Sequence, residues 1–330
     1  MIDLHDVRKV YHLRGGNDVV ALDDVTLHVD AGSIHGIVGQ SGAGKSTLIR
    51  CLTALERPTS GEIVVNDVDM TQLRGAKLRQ ARRNFGMVFQ AANLLDARTA
   101  AENIAYPLQI ARRPKKEIDE RVEELLTMVG LQGRGGSYPS QLSGGQRHRV
   151  GIARGLAGTP AVLLCDEPTS ALDQDSTGQI LDLLRDLRDS LGVTIVIITH
   201  EMAVVREICD SVTLLNHGGV LQSGTIEEIM KDPSSPLAQE LVPLPNVDDA
   251  VIPEDRALLD LIFTSSPGVP TGASVLNMSA SMGADVTAGV FESIGSTQVG
   301  RLALSVPRYH AQQILQQLHD QGIYATERLA

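Results

Sequence analysis

Residues 34–52 read IHGIVGQSGAGKSTLIRCL. The run at 34–38 is apolar and β-rich, and a helical pattern opens at Lys45. Between them, residues 39–46 fit the spacing G-x-x-x-x-G-K-[ST]. In a strand–loop–helix setting that spacing marks a phosphate-binding loop. Gly39, Gly42 and Gly44 let successive backbone N–H groups, with those of Gln40, Ser41 and Ala43, converge on phosphate oxygens. The helix N-terminus adds partial positive charge. Lys45 can reach the β and γ phosphates, Ser46 can place its hydroxyl on Mg²⁺, and Thr47 adds a phosphate contact. A flexible Gly/Ser-rich turn is the plainer alternative, but it leaves the strand, the lysine and the hydroxyl unexplained.

Outward from this loop, strand-like runs at 33–38, 85–89, 161–165, 194–199 and 211–216 are mostly followed by helical patterns. That alternation predicts a largely parallel α/β sheet. Segments 22–29 and 61–65 read as antiparallel additions. The chain has 330 residues, 42% hydrophobic and 21% charged, which is globular composition of two-domain size. Against 29 Lys and Arg stand 40 Asp and Glu, a net charge of −11, which argues against a general nucleic-acid binder. The longest apolar run, at 161–165, is far below the roughly 20 residues of a membrane span. The opening MIDLHDVRKV carries charges throughout, so no secretory signal is expected there. Cys51, Cys165 and Cys209 are scattered and lack metal spacing; they read as reduced core thiols of a cytoplasmic protein.

Residues 162–168, VLLCDEP, form a strand ending in two carboxylates. Asp166 can hold a Mg²⁺ shell through water, and Glu167 can polarise an attacking water. A solvated strand end is the alternative, and the phosphate loop weighs against it. Residues 141–151 read QLSGGQRHRVG, a Ser and two Gly that open a helix carrying Arg147 and Arg149. A plain Ser N-cap fits the serine. Two adjacent glycines cost a helix start roughly 1 kcal/mol each relative to Ala, which close approach to an anion would offset.

The motif LSGGQ at 142–146, with GQSGAGKST before it and LLCDEPTSALD at 163–173 after it, resembles the ATPase subunits of ABC transporters. The resemblance covers residues 1 to about 230. It implies an ABC-type P-loop NTPase with a helical subdomain at about 91–160, ATP and Mg as cofactors, and hydrolysis coupled to transport. It implies catalytic roles for Glu167, for His200 in VIITH and for Gln90 in MVFQ. Mg²⁺ would be held by Ser46, Gln90 and Asp166. Tyr11 in KVYHL would stack on adenine, although one tyrosine in a short strand could equally be core. Ser143, Gly144, Gly145 and Gln146 would serve the nucleotide of a second copy in a head-to-tail homodimer, and residues 170–173 would contact that copy. The implied partners are integral membrane permease subunits and, through them, an extracellular substrate-binding lipoprotein. The implied place is the cytoplasmic face of the membrane. A non-transport relative acting on nucleic acid would carry tandem ATPase units or a long coiled coil; this chain has one phosphate loop and no heptad stretch.

Two basic clusters, RGAKLRQARR at 74–83 and RRPKK at 112–116, read as solvated helical faces or as surfaces near anionic lipid. Neither has the aromatic interleaving of a nucleic-acid site.

Four prolines between residues 233 and 245 predict a linker over 233–254, with room for one short helix. The ATPase domain would then occupy 1–232. From about 255 the pattern restarts as βαββαβ, a ferredoxin-like order with a last strand at 323–329. Ala257, Leu259, Leu261 and Phe263 alternate as on a half-buried strand, as do Val286, Ala288 and Val290. A tail of this order, length and segment GSTQVGRLALSV at 295–306 resembles that of methionine-importer ATPase subunits. There an ACT-like regulatory domain at 255–330 would pair across the dimer and bind methionine as an inhibitor. Met278, Met282 and Asp285 are the candidate ligand contacts, with core packing the plainer role for each methionine. Residues 282–285, Met-Gly-Ala-Asp, stand where that family's pattern would carry an Asn-rich stretch. The alternative is an ATPase for another small solute whose tail only dimerises.

Overall fold

Short runs of β-branched residues and leucine set the frame. Parallel strands need cover on both faces, and the runs at 34–38 and 194–198 are buried at every position. The structure, a computed structural model, describes residues 1–330 apart from 14–15, 171, 233, 248–252, 254, 266–270, 295–296, 322 and 329–330. The chain divides into two compact units, Met1–Ser223 and Gly224–Ala330.

The first unit begins with β1 (Ile2–His12), β2 (Asp18–Val29), β3 (Ile34–Val38), α1 (Lys45–Leu52), β4 (Ser60–Val65), β5 (Val68–Asp69) and α2 (Gly75–Ala81). It continues through β6 (Phe85–Val88), α3 (Ala100–Ile110), α4 (Lys115–Met128), α5 (Gly144–Leu156) and β7 (Val162–Asp166). It closes with α6 (Gln174–Leu191), β8 (Thr194–Ile198), α7 (Met202–Ile208), β9 (Ser211–Asn216) and most of β10 (Gly219–Thr225).

One sheet has the order β10-β9-β3-β8-β7-β6, and β9, β3, β8, β7 and β6 pair in parallel. A second sheet, β2-β1-β4-β5, is antiparallel. Alternation sorts the parallel sheet's side chains into two cores. Val88, Leu163, Cys165, Ile195 and Ile197 pack with the helices α3 to α6. Ile37, Leu164, Val196 and Ile198 pack with Leu48 of α1 and with Leu4, Leu22 and Ile63 of the antiparallel sheet. His35 of β3, 1% exposed, sits among these strands with Nδ1 2.6 Å from Ser211 Oγ and Nε2 2.9 Å from Thr213 Oγ1.

Local chemistry fixes the helices. Thr99 caps α3 in a capping box with Glu102, and Asp173 caps α6, which ends on Gly192 in the left-handed region. Asn103 of α3 is fully buried. Its side chain accepts from Leu95 N at 2.8 Å and donates to the carbonyls of Leu95, Arg98 and Thr99 at 3.0–3.1 Å. One amide thus fastens the loop ahead of α3.

The second unit runs α8 (Ile226–Lys231), α9 (Pro236–Leu241), β11 (Arg256–Ser265), α10 (Thr271–Ser281), β12 (Asp285–Ile294), β13 (Thr297–Pro307), α11 (Ala311–Asp320) and β14 (Tyr324–Glu327). Its sheet, β12-β13-β11-β14, is antiparallel throughout. That order with two helices is ferredoxin-like. Ala257, Leu259, Leu261 and Phe263 form one core with Val275 of α10 and Ile314 and Leu318 of α11.

Strand β11 departs from the half-buried pattern expected of it. Leu258, Asp260 and Ile262 are buried too. The proline-rich stretch supplies the reason: Leu237, Ala238, Leu241 and Val242 are fully buried. Arg301 of β13 donates to the carbonyls of Gln239, at 3.1 Å, and Val242. Arg328 pairs with Asp260 through Nε and Nη2, at 2.8 and 2.6 Å, and also donates to the Pro245 carbonyl at 3.2 Å. Strand β12 departs the other way: Val286 is 42% exposed. Gly295 and Ser296 of the 295–306 segment, Leu329 of the last predicted strand, and Pro233, 248–252 and 254 of the predicted linker lie outside the described residues.

Candidate functional site

Four candidate groups follow the carboxyl ends of four neighbouring parallel strands. The phosphate loop follows β3, Asp166 ends β7 with Glu167 next, His200 follows β8, and Gln90 follows β6. The strand ends are level: Ile37 pairs with Ile198, Asp166 with Ile198 and Val88 with Cys165. Parallel pairing therefore gathers residues more than a hundred positions apart at one edge, where open α/β sheets place their ligands.

Close packing shapes the loop. Gly39 has φ 151°, and a Cβ there would lie 2.4 Å from the Leu215 carbonyl oxygen. Gly44 has φ 105°, and its Cβ would lie 2.6 Å from that of Ala21. No side chain fits at either position. Ala43 N donates to Gln40 O at 3.1 Å, closing the turn. Ser41, Gly42 and Ser46 are exposed along its rim. Lys45 Nζ donates to the carbonyls of Gly39 and Gln40, the latter at 3.0 Å. Burial lowers the Lys45 pKa, and the charges of Glu167 and Asp166 oppose that shift.

Burial raises the Asp166 pKa, Glu167 adds to the rise, and Lys45 works against it. Glu167 has φ 47°, a left-handed conformation that costs a non-glycine residue energy and recurs at functional sites. Its N–H bonds Ile198 O at 2.8 Å, and its Oε1 lies 2.8 Å from His200 Nδ1. Carboxylate and imidazole thus hold each other beside the loop.

The LSGGQ segment takes a different place. Ser143 is the N-cap of α5, in a capping box with Gln146: Gln146 N donates to Ser143 Oγ at 3.2 Å, and Ser143 N to Gln146 Oε1 at 3.0 Å. The plain-cap role and an exposed Ser143 coexist. Among the described residues, Ser143, Gly144, Gly145 and Gln146 make no hydrogen bond to the phosphate loop. His148, 4% exposed, ties this helix to the Gln90 loop, with Nδ1 3.1 Å from Gly144 O and Nε2 2.8 Å from Gln90 O. Ala171 of the 170–173 loop lies outside the described residues.

Tyr11 of β1 is half-buried and its hydroxyl donates to Glu56. The Thr47 side chain lies close enough to the same phenol to work against the rise in its pKa, which brings Tyr11 near the phosphate loop. The basic clusters border a groove of about 1130 Å³. Arg79, Arg83 and Arg113 line it with the exposed apolar residues Phe89, Tyr106 and Ile110. In the tail, Met278 and Met282 both line a cavity of about 600 Å³ with Gln313, Gln317 and Asp320. Asp285 is not on its wall; it is exposed at the start of β12, opposite Ser305.

The sequence reading missed Glu56 and His148. A buried-end phenol needs an acceptor, and a histidine within the signature helix needs partners, but neither need names its partner along the chain.

A family profile described as "ABC transporter" matches residues 22–170. The "Methionine import ATP-binding protein MetN" of Streptomyces coelicolor is 46% identical over 93% of this chain and 88% of its own length. The protein of the same name from Myxococcus xanthus is 45% identical over 99% of both chains. Among solved structures, the ATP-binding cassette MJ0796, in a dimeric post-hydrolysis state bound to ADP and Pi, is 35% identical with TM-score 0.62. It covers 68% of this chain and 99% of its own. Phosphate loop, strand-end carboxylates and LSGGQ helix, with these likenesses along almost the whole chain, place it in the family of ABC transporter ATP-binding proteins, among the methionine import ATP-binding proteins.

Proposed function

We propose that this chain is the ATP-hydrolysing subunit of an ABC importer for methionine, acting as a homodimer on the cytoplasmic face of the membrane. The observation that carries the chemistry is the meeting of Lys45, Asp166, Glu167 and His200 at level strand ends. The cargo follows the names of the relatives over nearly full length.

The loop amides of residues 39–44 bind phosphate oxygens, and Lys45 turns from its carbonyl partners to the β and γ phosphates. Glu167 orients water for in-line attack, and His200 holds the Glu167 carboxylate and contacts the γ phosphate. Ser46 and Asp166, with Gln90, would hold Mg²⁺. The donor set fits: Mg²⁺ keeps water and phosphate ligands and needs only one or two protein oxygens. A cation beside Asp166 would also offset, as Lys45 does, the rise in its pKa caused by burial and by Glu167. When bound, the ion neutralises charge across the β and γ oxygens. Tyr11 stacks on adenine, and Thr47 joins the phosphate contacts. Exposed Ser143, with Gly144, Gly145 and Gln146, serves the nucleotide of the second copy.

The groove beside Phe89, Tyr106 and Ile110 is the docking surface for the permease, through which an extracellular binding lipoprotein acts. The tail, 255–330, senses methionine through Met278, Met282 and Asp285; the cavity that Met278 and Met282 line supports this reading, and Asp285 lies outside its wall. No helix among the described residues is long and apolar enough to cross a membrane, in keeping with peripheral attachment.

Glu167→Gln tests the chemistry: hydrolysis falls at least a hundredfold while ATP binding persists and dimers accumulate. Unchanged hydrolysis removes Glu167 from its role. Methionine uptake in cells lacking the chain tests the cargo, and uptake restored for another solute only would favour the dimerising-tail alternative.

A further inference from the structure

A ring that stacks on a base needs a flat face and a fixed plane. Tyr11 is held at its far end, where its hydroxyl donates to Glu56, 45 residues along the chain, between α1 and β4. Glu56 is itself held. Arg50 Nη1 lies 3.1 Å from its Oε1, and Lys9 Nζ lies 3.8 Å from its Oε2. Lys9 also stands 5.0 Å from the centroid of the Tyr11 ring. Its ammonium is anchored in turn on the Arg57 carbonyl at 2.8 Å.

We propose that Glu56 is a positioning residue for nucleotide binding, fixing through the Tyr11 hydroxyl the plane on which the base stacks. The inference rests on the reading of Tyr11 as the base platform. The hydroxyl lies on the ring's own rotation axis, so its bond to Glu56 fixes where that axis points. Lys9 over one face limits rotation about the axis and leaves the other face to the base. The ring is then ordered before the nucleotide arrives, and less affinity is spent on ordering it. Arg50 and Lys9 flank the carboxylate and hold it in place.

The experiment measures KM and kcat for ATP in the full chain, beside inhibition by inorganic tripolyphosphate with Mg²⁺, which carries phosphates and no base. Tyr11→Phe keeps the ring and loses the hydroxyl; Glu56→Ala loses the acceptor. Each raises KM for ATP about three- to tenfold with kcat held, the worth of one hydrogen bond. The double variant does no worse than either alone, because both cut the same bond. Tripolyphosphate inhibits all of them equally. Tyr11→Ala tests the platform itself: an unchanged KM there overturns platform and inference together. A raised KM in Tyr11→Ala with unchanged KM in Tyr11→Phe and Glu56→Ala overturns the role of Glu56 and leaves the platform standing. Tripolyphosphate binding that weakens in step with ATP also overturns it, since the loss then lies in charge or folding. Tyr11→Phe leaves the Glu56, Arg50 and Lys9 cluster untouched, so the inference is decided even where Glu56→Ala fails to fold.

Discussion

Acidification should weaken the first unit through one histidine. His35 lies in β3, four residues ahead of the phosphate loop, and burial lowers its pKa from 6.5 to about 4. Asp30 opposes the shift and His28 adds to it. The folded state therefore holds the ring neutral while the unfolded chain takes up a proton as pH falls through about 6.5. Stability is unaffected above that value, declines as pH falls, and levels off below about 4. Each pH unit inside the window costs about 1.4 kcal/mol, so about 2 kcal/mol is lost between about pH 7.5 and about pH 5. His28 has the opposite sign: bonds to Asp3 and Asp30 raise its pKa, so its contribution is present at low pH and fades as pH rises through the folded pKa. Comparing wild type with His35→Gln subtracts that contribution. The assay is urea unfolding followed by circular dichroism at both pH values. The variant starts less stable, having lost the fit to Ser211 and Thr213, but its stability should change about 2 kcal/mol less across the window. Parallel pH dependences would refute the reasoning.

Other perturbations follow from single contacts. Gly39→Ala places a methyl 2.4 Å from the Leu215 carbonyl at φ 151°; at about 1–3 kcal/mol of strain, ATP affinity should drop ten- to a hundredfold, and a change under twofold would show the loop is looser than its packing. Asn103→Ala strips four hydrogen bonds from a fully buried site; a loss of about 2–3 kcal/mol and faster amide exchange at residues 94–99 are expected, and a loss below about 1 would contradict the fastening role. Arg301→Met removes both bonds to the carbonyls of Gln239 and Val242; proteolysis should then reach residues 236–245 sooner, and an unchanged cleavage rate would count against the clamp.

The parallel sheet was legible because each strand is a short apolar run with no polar face to disguise it. The phosphate loop was legible because chemistry fixes its spacing locally. What escaped the sequence was contact between distant positions. Asp260 reads as the wet side of a half-buried strand, yet it is buried, because the α8–α9 stretch covers that face and Arg328 neutralises the carboxylate. Proline content marked residues 233–254 as a linker with room for one short helix; what it did not show is that this helix, opened by Pro236, would be buried at Leu237 and Leu241. Met278 and Met282 share helical spacing and a cavity, whereas Asp285, on the strand that follows, does not line that cavity.

The arginine clamp of the tail has an evolutionary corollary. Arg301 and Arg328 grip the main-chain oxygens of Gln239, Val242 and Pro245, not their side chains. A carbonyl oxygen is present whatever amino acid occupies the position. The exposed positions of the segment can therefore drift without loosening it, provided the buried ones stay apolar. The two arginines have no such freedom: Arg301 reaches two carbonyls through one nitrogen while Arg328 forks across Asp260, and lysine offers no planar fork to replace the latter. At an exposed gripped position such as Gln239, selection falls on the arginine that grips rather than on the residue gripped.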